Sequence, residues 1–227
     1  LVVAATKSLT LTGGNTASRP ASPTEGMIYF DTDTDSLLTY ANGKWQSDRG
    51  EYIIVASNHG TDPSTQAERD SADYVTDGTA DEVEINAALT AASGGKVILL
   101  GGTYVAAATI LIPNNTTLAG VGAGTNVELG NLDATENLIE NTDTTTGTGI
   151  TIRDLTLDGR NDLNTAGTQY GIYFNTGSSS NIENVYLNRF RNFSIYLQDN
   201  SNRNTFDNVK ITSGSGDAGI GIDASDY

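Results

Sequence analysis

The chain of 227 residues contains no cysteine, so neither a disulfide framework nor a thiolate metal site is available to it. That absence fits a cytosolic protein and equally a surface or virion protein stabilised by extended sheet packing. Histidine is nearly absent too. A Ser-His-Asp relay would need the single imidazole of His59, which sits in the turn-like Asn58-His59-Gly60 with no nucleophile elbow nearby; it reads as a solvated loop residue. Cations are scarce, with 12 Lys and Arg against 28 Asp and Glu and a net charge of -16. Such a field repels nucleic acid, anionic lipid and acidic polysaccharide unless a cation intervenes, so nucleic acid is excluded as a partner. The acidic bias is compatible with a saline habitat and with an ordinary acidic surface. No run approaches the roughly 18 apolar residues of a membrane-spanning helix. The length suits one mid-sized domain plus a small appendage. Opening at Leu1 without a start methionine or signal pattern, the chain reads as a processed or excised piece of a longer protein.

What the second half does contain is a repeated slip in hydrophobic phase. It reads Leu118-Ala-Gly120-Val121, Ile152-Arg-Asp154-Leu155, Ile182-Glu-Asn184-Val185 and Phe206-Asp-Asn208-Val209. Each inward apolar residue is followed three places later by the next, so a strand ends, the chain bends at Gly, Asp or Asn, and another strand begins. The copies recur at about 34, 30 and 24 residues, and units of that length must stack on their neighbours to bury an apolar face. A second row, Ile172-Tyr-Phe174, Ile195-Tyr-Leu197 and Ile220-Gly-Ile222, recurs at about 23 and 25 residues with its middle residue outward.

Two regions follow. Residues 1–50 form an attachment module: a loose strand over Leu1 to Thr12, a polar connector, and a β-hairpin from Met27-Ile-Tyr-Phe30 and Leu37-Leu-Thr-Tyr40, finished by Asn42-Gly43 and Trp45. The triplet Asp31-x-Asp33-x-Asp35 is a turn and not a calcium loop, since Ser36 stands where glycine is required and Asn42 where glutamate is. Residues 51–227 form the second region, opening with a buried strand at Tyr52-Ile-Ile-Val-Ala56. Within it, a helix is predicted over about 80–92, with Thr79-x-x-Glu82 as its capping box. Ile85, Ala88, Leu89 and Ala92 form its apolar stripe, and Gly94-Gly95 is its stop. That helix is expected to close the open end of a strand stack.

Two stretches carry resemblances. The phrase from Gly26-Met-Ile-Tyr-Phe-Asp31 to Gly43-Lys-Trp45 resembles hairpin modules of phage tail-fibre and large bacterial surface proteins. The stretch Asp73-Tyr-Val-Thr-Asp77 to Asn86-Ala-Ala, with Gly94-Gly-Lys-Val, Gly102-Thr-Tyr104 and Thr117-Leu-Ala-Gly-Val-Gly122, resembles the entry segment of the pectate-lyase-like superfamily of single-stranded right-handed parallel β-helices. Over residues 52–227 the resemblance implies an all-β solenoid with an N-terminal capping α-helix. That superfamily holds lyases, hydrolases, tailspike depolymerases and surface proteins without demonstrated activity, so fold transfers better than function.

The repeat sets Tyr173 over Tyr196 on successive coils, with Asn175, Gln198 and Asp223 in the next outward row. Aromatic rings beside amides suit carbohydrate, and Tyr173, Tyr196, Asn175 and Gln198 are the candidate carbohydrate-binding residues; the same tyrosines also suit a ladder that shields strands. The corner row Asp154, Asn184 and Asn208 is structural. Acidic candidates for glycoside hydrolysis include Asp158, Asp162, Asp199, Asp217 and Asp223, and Asp158-Gly159-Arg160 resembles turns of hydrolase members, but no catalytic set is singled out. Arg189, Arg191 and Arg203 are expected to neutralise surrounding carboxylates or to support loops. No metal or cofactor is expected, calcium entering only under a lyase reading. The chain is thus read as an extracellular structural or adhesive β-helix, located at a cell surface or on a virion, that binds cell-surface or environmental polysaccharide. It would associate with itself or with further chain at the C-terminal coil around Ile220-Gly-Ile222. The alternatives are a polysaccharide depolymerase, and a filament subunit that stacks through Leu1 to Thr12.

Overall fold

The computed structural model describes residues 13–32, 36–41, 43–47, 52–92, 94–130, 136–164, 166–212 and 219–223. The strand expected over Leu1 to Thr12, and Asp33, Asp35, Asn42 and Asp217, lie outside them. Two compact units divide the chain, Leu1–Glu51 and Tyr52–Tyr227.

In the first unit the expected hairpin gains a third strand. Ile28–Asp31, Ser36–Ala41 and Lys44–Ser47 pair antiparallel in that order, with Tyr40 opposite Trp45. The Trp45 ring contacts Tyr29 and Tyr40 with centroids 5.8 and 5.3 Å away, which gives residues 44–47 a packing reason to continue as strand. Asp31 is a buried carboxylate paired with Arg19 at 2.6 Å, so the first member of the acidic triplet ends a strand instead of forming a turn.

The second unit is mostly β, with parallel strands in curled sheets and few helices. One ten-stranded and one five-stranded sheet are described, and every pairing in them is parallel. Equivalent residues stand in register from circuit to circuit. In the larger sheet Ile53, Val97, Leu118, Ile152, Ile182 and Phe206 form one apolar ladder, and Tyr104, Val127, Leu157, Leu187 and Ile211 form another. In the smaller sheet the ladder is Ile110, Ile139, Ile172, Ile195 and Ile220. Burying a side chain of this size contributes about 1.5–3 kcal/mol, so these columns are the core of the unit.

The bends between the half-strands are built from local side-chain chemistry. Asp154, Asn184 and Asn208 have φ of 57, 52 and 48°, the left-handed region that Asn and Asp tolerate better than other non-glycine residues. Asn184 Nδ2 donates to Asp154 Oδ1 at 2.9 Å, and Asn208 Nδ2 donates to Asn184 Oδ1 at 2.9 Å. The first copy departs from the sequence reading. Val121 is 55% exposed, and the place held by Leu155 in the next circuit belongs to Thr125, which is buried, because residues 121–124 loop out before the strand Thr125–Leu129 resumes. Here the bend residue is Gly120, where a Cβ would stand 2.4 Å from the Asp154 carbonyl oxygen, so Asn or Asp cannot serve.

Two helices precede the regular circuits. Helix α1, Gln66–Ser71, carries a capping box that the sequence reading missed, with Thr65 and Glu68 bonding reciprocally. Helix α2, Glu82–Ala92, buries Ile85, Ala88 and Leu89 as expected. The capping box assigned to Thr79 and Glu82 does not form. The Thr79 hydroxyl donates to Asp77 at 2.7 Å, and Glu82 instead accepts from the Ala107 amide at 2.8 Å. The buried Asp81 carboxylate accepts from Gly78 N at 2.7 Å and Val105 N at 2.7 Å. Farther along, the Asn86 side chain accepts from Leu111 N at 2.8 Å and donates to Thr109 O at 3.0 Å. Asp81, Glu82 and Asn86 thereby occupy backbone groups along the edge of strands Gly102–Ala106 and Ile110–Ile112, which would otherwise invite another strand.

Replacement Asp81→Ala leaves two backbone donors without their acceptor and is expected to lower stability by about 3 kcal/mol, read from the denaturation midpoint. At the bend, Asn184→Gly keeps the left-handed turn, whereas Asn184→Val adds strain of about 1–3 kcal/mol. The expected order in thermal unfolding is wild type, then Asn184→Gly, then Asn184→Val; a valine variant as stable as the glycine variant would refute this account of the corner.

Candidate functional site

The outward row of the smaller sheet runs Leu111, Glu140, Tyr173, Tyr196 and Gly221, each in register with the next. Sequence reasoning had placed Tyr173 over Tyr196, and their ring centroids lie 5.9 Å apart with planes 14° from parallel. Two further rings complete the cluster. Tyr170 lies 4.8 Å from Tyr196 and 5.7 Å from Tyr173, and Phe193 lies 5.5 Å from Tyr196. Both were missed, although Tyr170-Gly-Ile-Tyr173 and Phe193-Ser-Ile-Tyr196 repeat the same spacing and carried the signal. Rings this close and nearly parallel overlap in offset stacks, so the inner faces cover one another. Gly221 continues the row without a side chain: a Cβ there would stand 2.7 Å from Tyr196 Cδ2 and 3.0 Å from Phe193.

Polar groups tie the stack from circuit to circuit. The Tyr173 hydroxyl donates to Gln198 Oε1, and the Tyr196 hydroxyl donates to Asp223 Oδ2 at 3.3 Å. Asn175, Gln198 and Asp223 do form the next outward row, in register. The Asn175 side-chain oxygen accepts from the Thr176 hydroxyl at 3.2 Å, and its backbone is clamped by the buried Asn141. Burial first, then the charges of Glu140 and Asp199, pushes the Tyr173 hydroxyl up from its ordinary pKa. Burial and then Asp223 push Tyr196 up in the same direction. In the core, burial raises the Tyr104 hydroxyl well above 10, while it donates to Val55 O and Leu100 O at 3.0 Å. At the far end of the row, Leu111 enters an open groove of about 770 Å³ shared with Asn86, Thr90 and Pro113.

The other candidates fall elsewhere. Asp158 and Asp162 are bridged by one guanidinium, with Arg189 Nη2 2.7 Å from Asp158 and Nη1 2.9 Å from Asp162. Arg160 pairs with Glu128 at 2.9 Å, and Arg191 donates to the Gly167 carbonyl at 3.2 Å. The row Thr156, Tyr186 and Lys210 is in register, with the Lys210 ammonium 5.0 Å above the Tyr186 ring. The His59 ring meets Thr61 at 3.4 Å and no carboxylate-serine pair. Among the described residues no group of three or more His, Cys, Asp and Glu is arranged to hold a metal ion.

No family model matches this chain, and no curated protein matches it. Among solved structures, the A-module of a mannuronan C-5 epimerase from Azotobacter vinelandii is similar at 21% identity and a TM-score of 0.47, over 66% of this chain and 52% of that one. An open-reading-frame product of Geobacillus virus E2 is similar at 18% identity and a TM-score of 0.49, over 95% of this chain and 54% of that one. The chain thus spans about half the length of each. Likeness this loose transfers neither a site nor an activity.

The raised phenols give an alkaline signature. A tyrosine whose folded pKa lies above its unfolded value of 10.0 contributes stability that is complete below pH 10 and is lost as the pH rises through the folded value. Phenolate absorbance is expected to show Tyr104, Tyr173 and Tyr196 titrating later than free tyrosine, with stability falling over that window. The double variant Tyr173→Phe, Tyr196→Phe should show a shallower loss; an unchanged slope would remove these two hydroxyls from the linkage.

Proposed function

We propose that this chain is a structural and adhesive segment of an extracellular protein, a single-stranded right-handed parallel β-helix of the kind found in phage tail fibres and large bacterial surface proteins. In this reading residues 1–50 attach it and residues 51–227 form the rigid rod. One observation carries the proposal: outward side chains bond from circuit to circuit and so stiffen the stack. The Asp154, Asn184, Asn208 ladder does this at the corners, Tyr173 with Gln198 and Tyr196 with Asp223 do it on the smaller sheet, and Thr212 with Asn188 does it on the larger. Hydrolysis of a glycoside needs one carboxyl kept protonated and another free to act, whereas Asp158 and Asp162 are both held by Arg189. The tyrosine-bearing face, with Asn175 and Gln198, is the proposed glycan contact.

Association belongs to the same reading. Ile220 and Ile222 are 42% and 70% exposed, while Ile195 and Leu197, one circuit earlier, are 0% and 3%. A further circuit of chain or a neighbouring molecule covering that end would bury them. The virion or cell surface is the proposed location; among the described residues no helix is long and apolar enough to cross a membrane.

Incubation with neutral and acidic polysaccharides, with and without calcium, is expected to leave every chain intact while some are retained by the folded protein. Newly formed oligosaccharides in mass spectra would overturn the proposal, unsaturated ends meaning a lyase and saturated fragments a hydrolase.

A further inference from the structure

Resting on the glycan reading of the tyrosine-bearing face, we infer that its ligand is a polysaccharide with free amino groups, held along the outward row Leu111, Glu140, Tyr173 and Tyr196. The row crosses four adjacent strands, Ile110–Ile112, Ile139–Asn141, Ile172–Asn175 and Ile195–Gln198, at about 4.8 Å per strand, so it presents a strip and not a point. At one end Leu111 lies in the groove beside α2, an apolar seat for a sugar ring. Next comes Glu140, half-buried and in register with Tyr173, with Oε1 accepting from the Asn137 amide. The aromatic stack follows, and Asp223 lies on its far flank.

The charges beside the rings bear on the ligand's charge. Glu128, Asp154, Asp158 and Asp162 are each bridged by an arginine. Among the described residues no such bridge reaches Glu140 or Asp223, so no arginine offsets the carboxylates beside the rings. Because the inner ring faces are spent on one another, a flat sugar has little ring surface to cover. An ammonium group needs less: at the level of Tyr173 it meets the Glu140 carboxylate. The net charge of -16 draws a cationic chain toward the surface and turns an anionic one away.

The test is calorimetric titration of the full chain with oligosaccharides of deacetylated chitin, their N-acetylated counterparts and oligogalacturonate. The deacetylated oligomer is expected to bind about ten-fold more tightly than the acetylated one, and oligogalacturonate not at all. Glu140→Gln should abolish the preference without altering the unfolding temperature by more than a few degrees, while Glu183→Gln, on the larger sheet, should leave the preference intact. Equal binding of the acetylated and deacetylated oligomers would overturn the inference and leave the glycan reading standing. Equal loss in both variants would also overturn it, since the bulk field would then be responsible. Binding of none of the three would remove the glycan reading and this inference together.

Discussion

Parallel pairing in register is the constraint on which the rest of the second unit depends. It places each residue over its equivalent one circuit away, so any side chain that enters a row must tolerate its neighbours above and below. Inward rows meet that condition with Ile, Leu, Val and Phe. Outward rows face a harder problem in so acidic a chain, since stacked carboxylates repel. At the corner an acid stands next to an amide in the stack, Asp154 beside Asn184, and the amide adds no like charge and donates a hydrogen bond. Desolvation pushes the Asp154 carboxyl up, but the Asn184 amide and the Arg153 guanidinium outweigh it and leave the carboxyl below its usual range. Glu128 and Asp158 are two acids in adjacent register, and Arg160 and Arg189 stand beside them.

The same constraint explains what the sequence disclosed. Because register forces like chemistry to recur, the spacing of Leu118, Ile152, Ile182 and Phe206 in the chain is the spacing of their contacts in space, and the predicted rows are the observed rows. The reading failed where the repeat is broken by an insertion. Val121 has the right type and the right offset, yet the four residues 121–124 loop outward and Thr125 takes the inward place. Nothing in local hydrophobicity distinguishes these alternatives; only the partner strand Thr151–Asp158 does. The helix start failed for a related reason. Glu82 fits a capping box by spacing, but a neighbouring strand edge offers the Ala107 amide, and a tertiary partner displaces the local one. Tyr170 and Phe193 precede the strands Ile172–Asn175 and Ile195–Gln198 and stand three residues before Tyr173 and Tyr196, so the alternation of a strand does not place them in the outward row.

The two ends of the stack solve the edge problem differently. At the start, Asp81, Glu82 and Asn86 present side-chain oxygens to strand amides, so one helix imitates a strand with its side chains and buries an apolar stripe as well. A further copy adding to that edge would have to break these bonds. At the other end Ile220 and Ile222 retain the inward pattern without the burial. The two described edges therefore differ: at one the strand amides are occupied by side chains, and the other presents Ile220 and Ile222.

The aromatic column couples rigidity to the recognition proposed for this face. Ring faces packed on each other, and hydroxyls donated to Gln198 and Asp223, are spent on holding successive circuits at fixed height. What they leave for solvent is the ring edges and the charge of the flanking acids. A face so built cannot close around a ligand, since its parts are locked by the fold, but it pays no ordering entropy to meet one. Under the proposed glycan reading each contact along it is weak, and strength comes from several contacts made at once by a polymer running across the strands. Under the proposed glycan reading, a row that repeats at every strand suits a repeating ligand for the same reason that it suits its own neighbours.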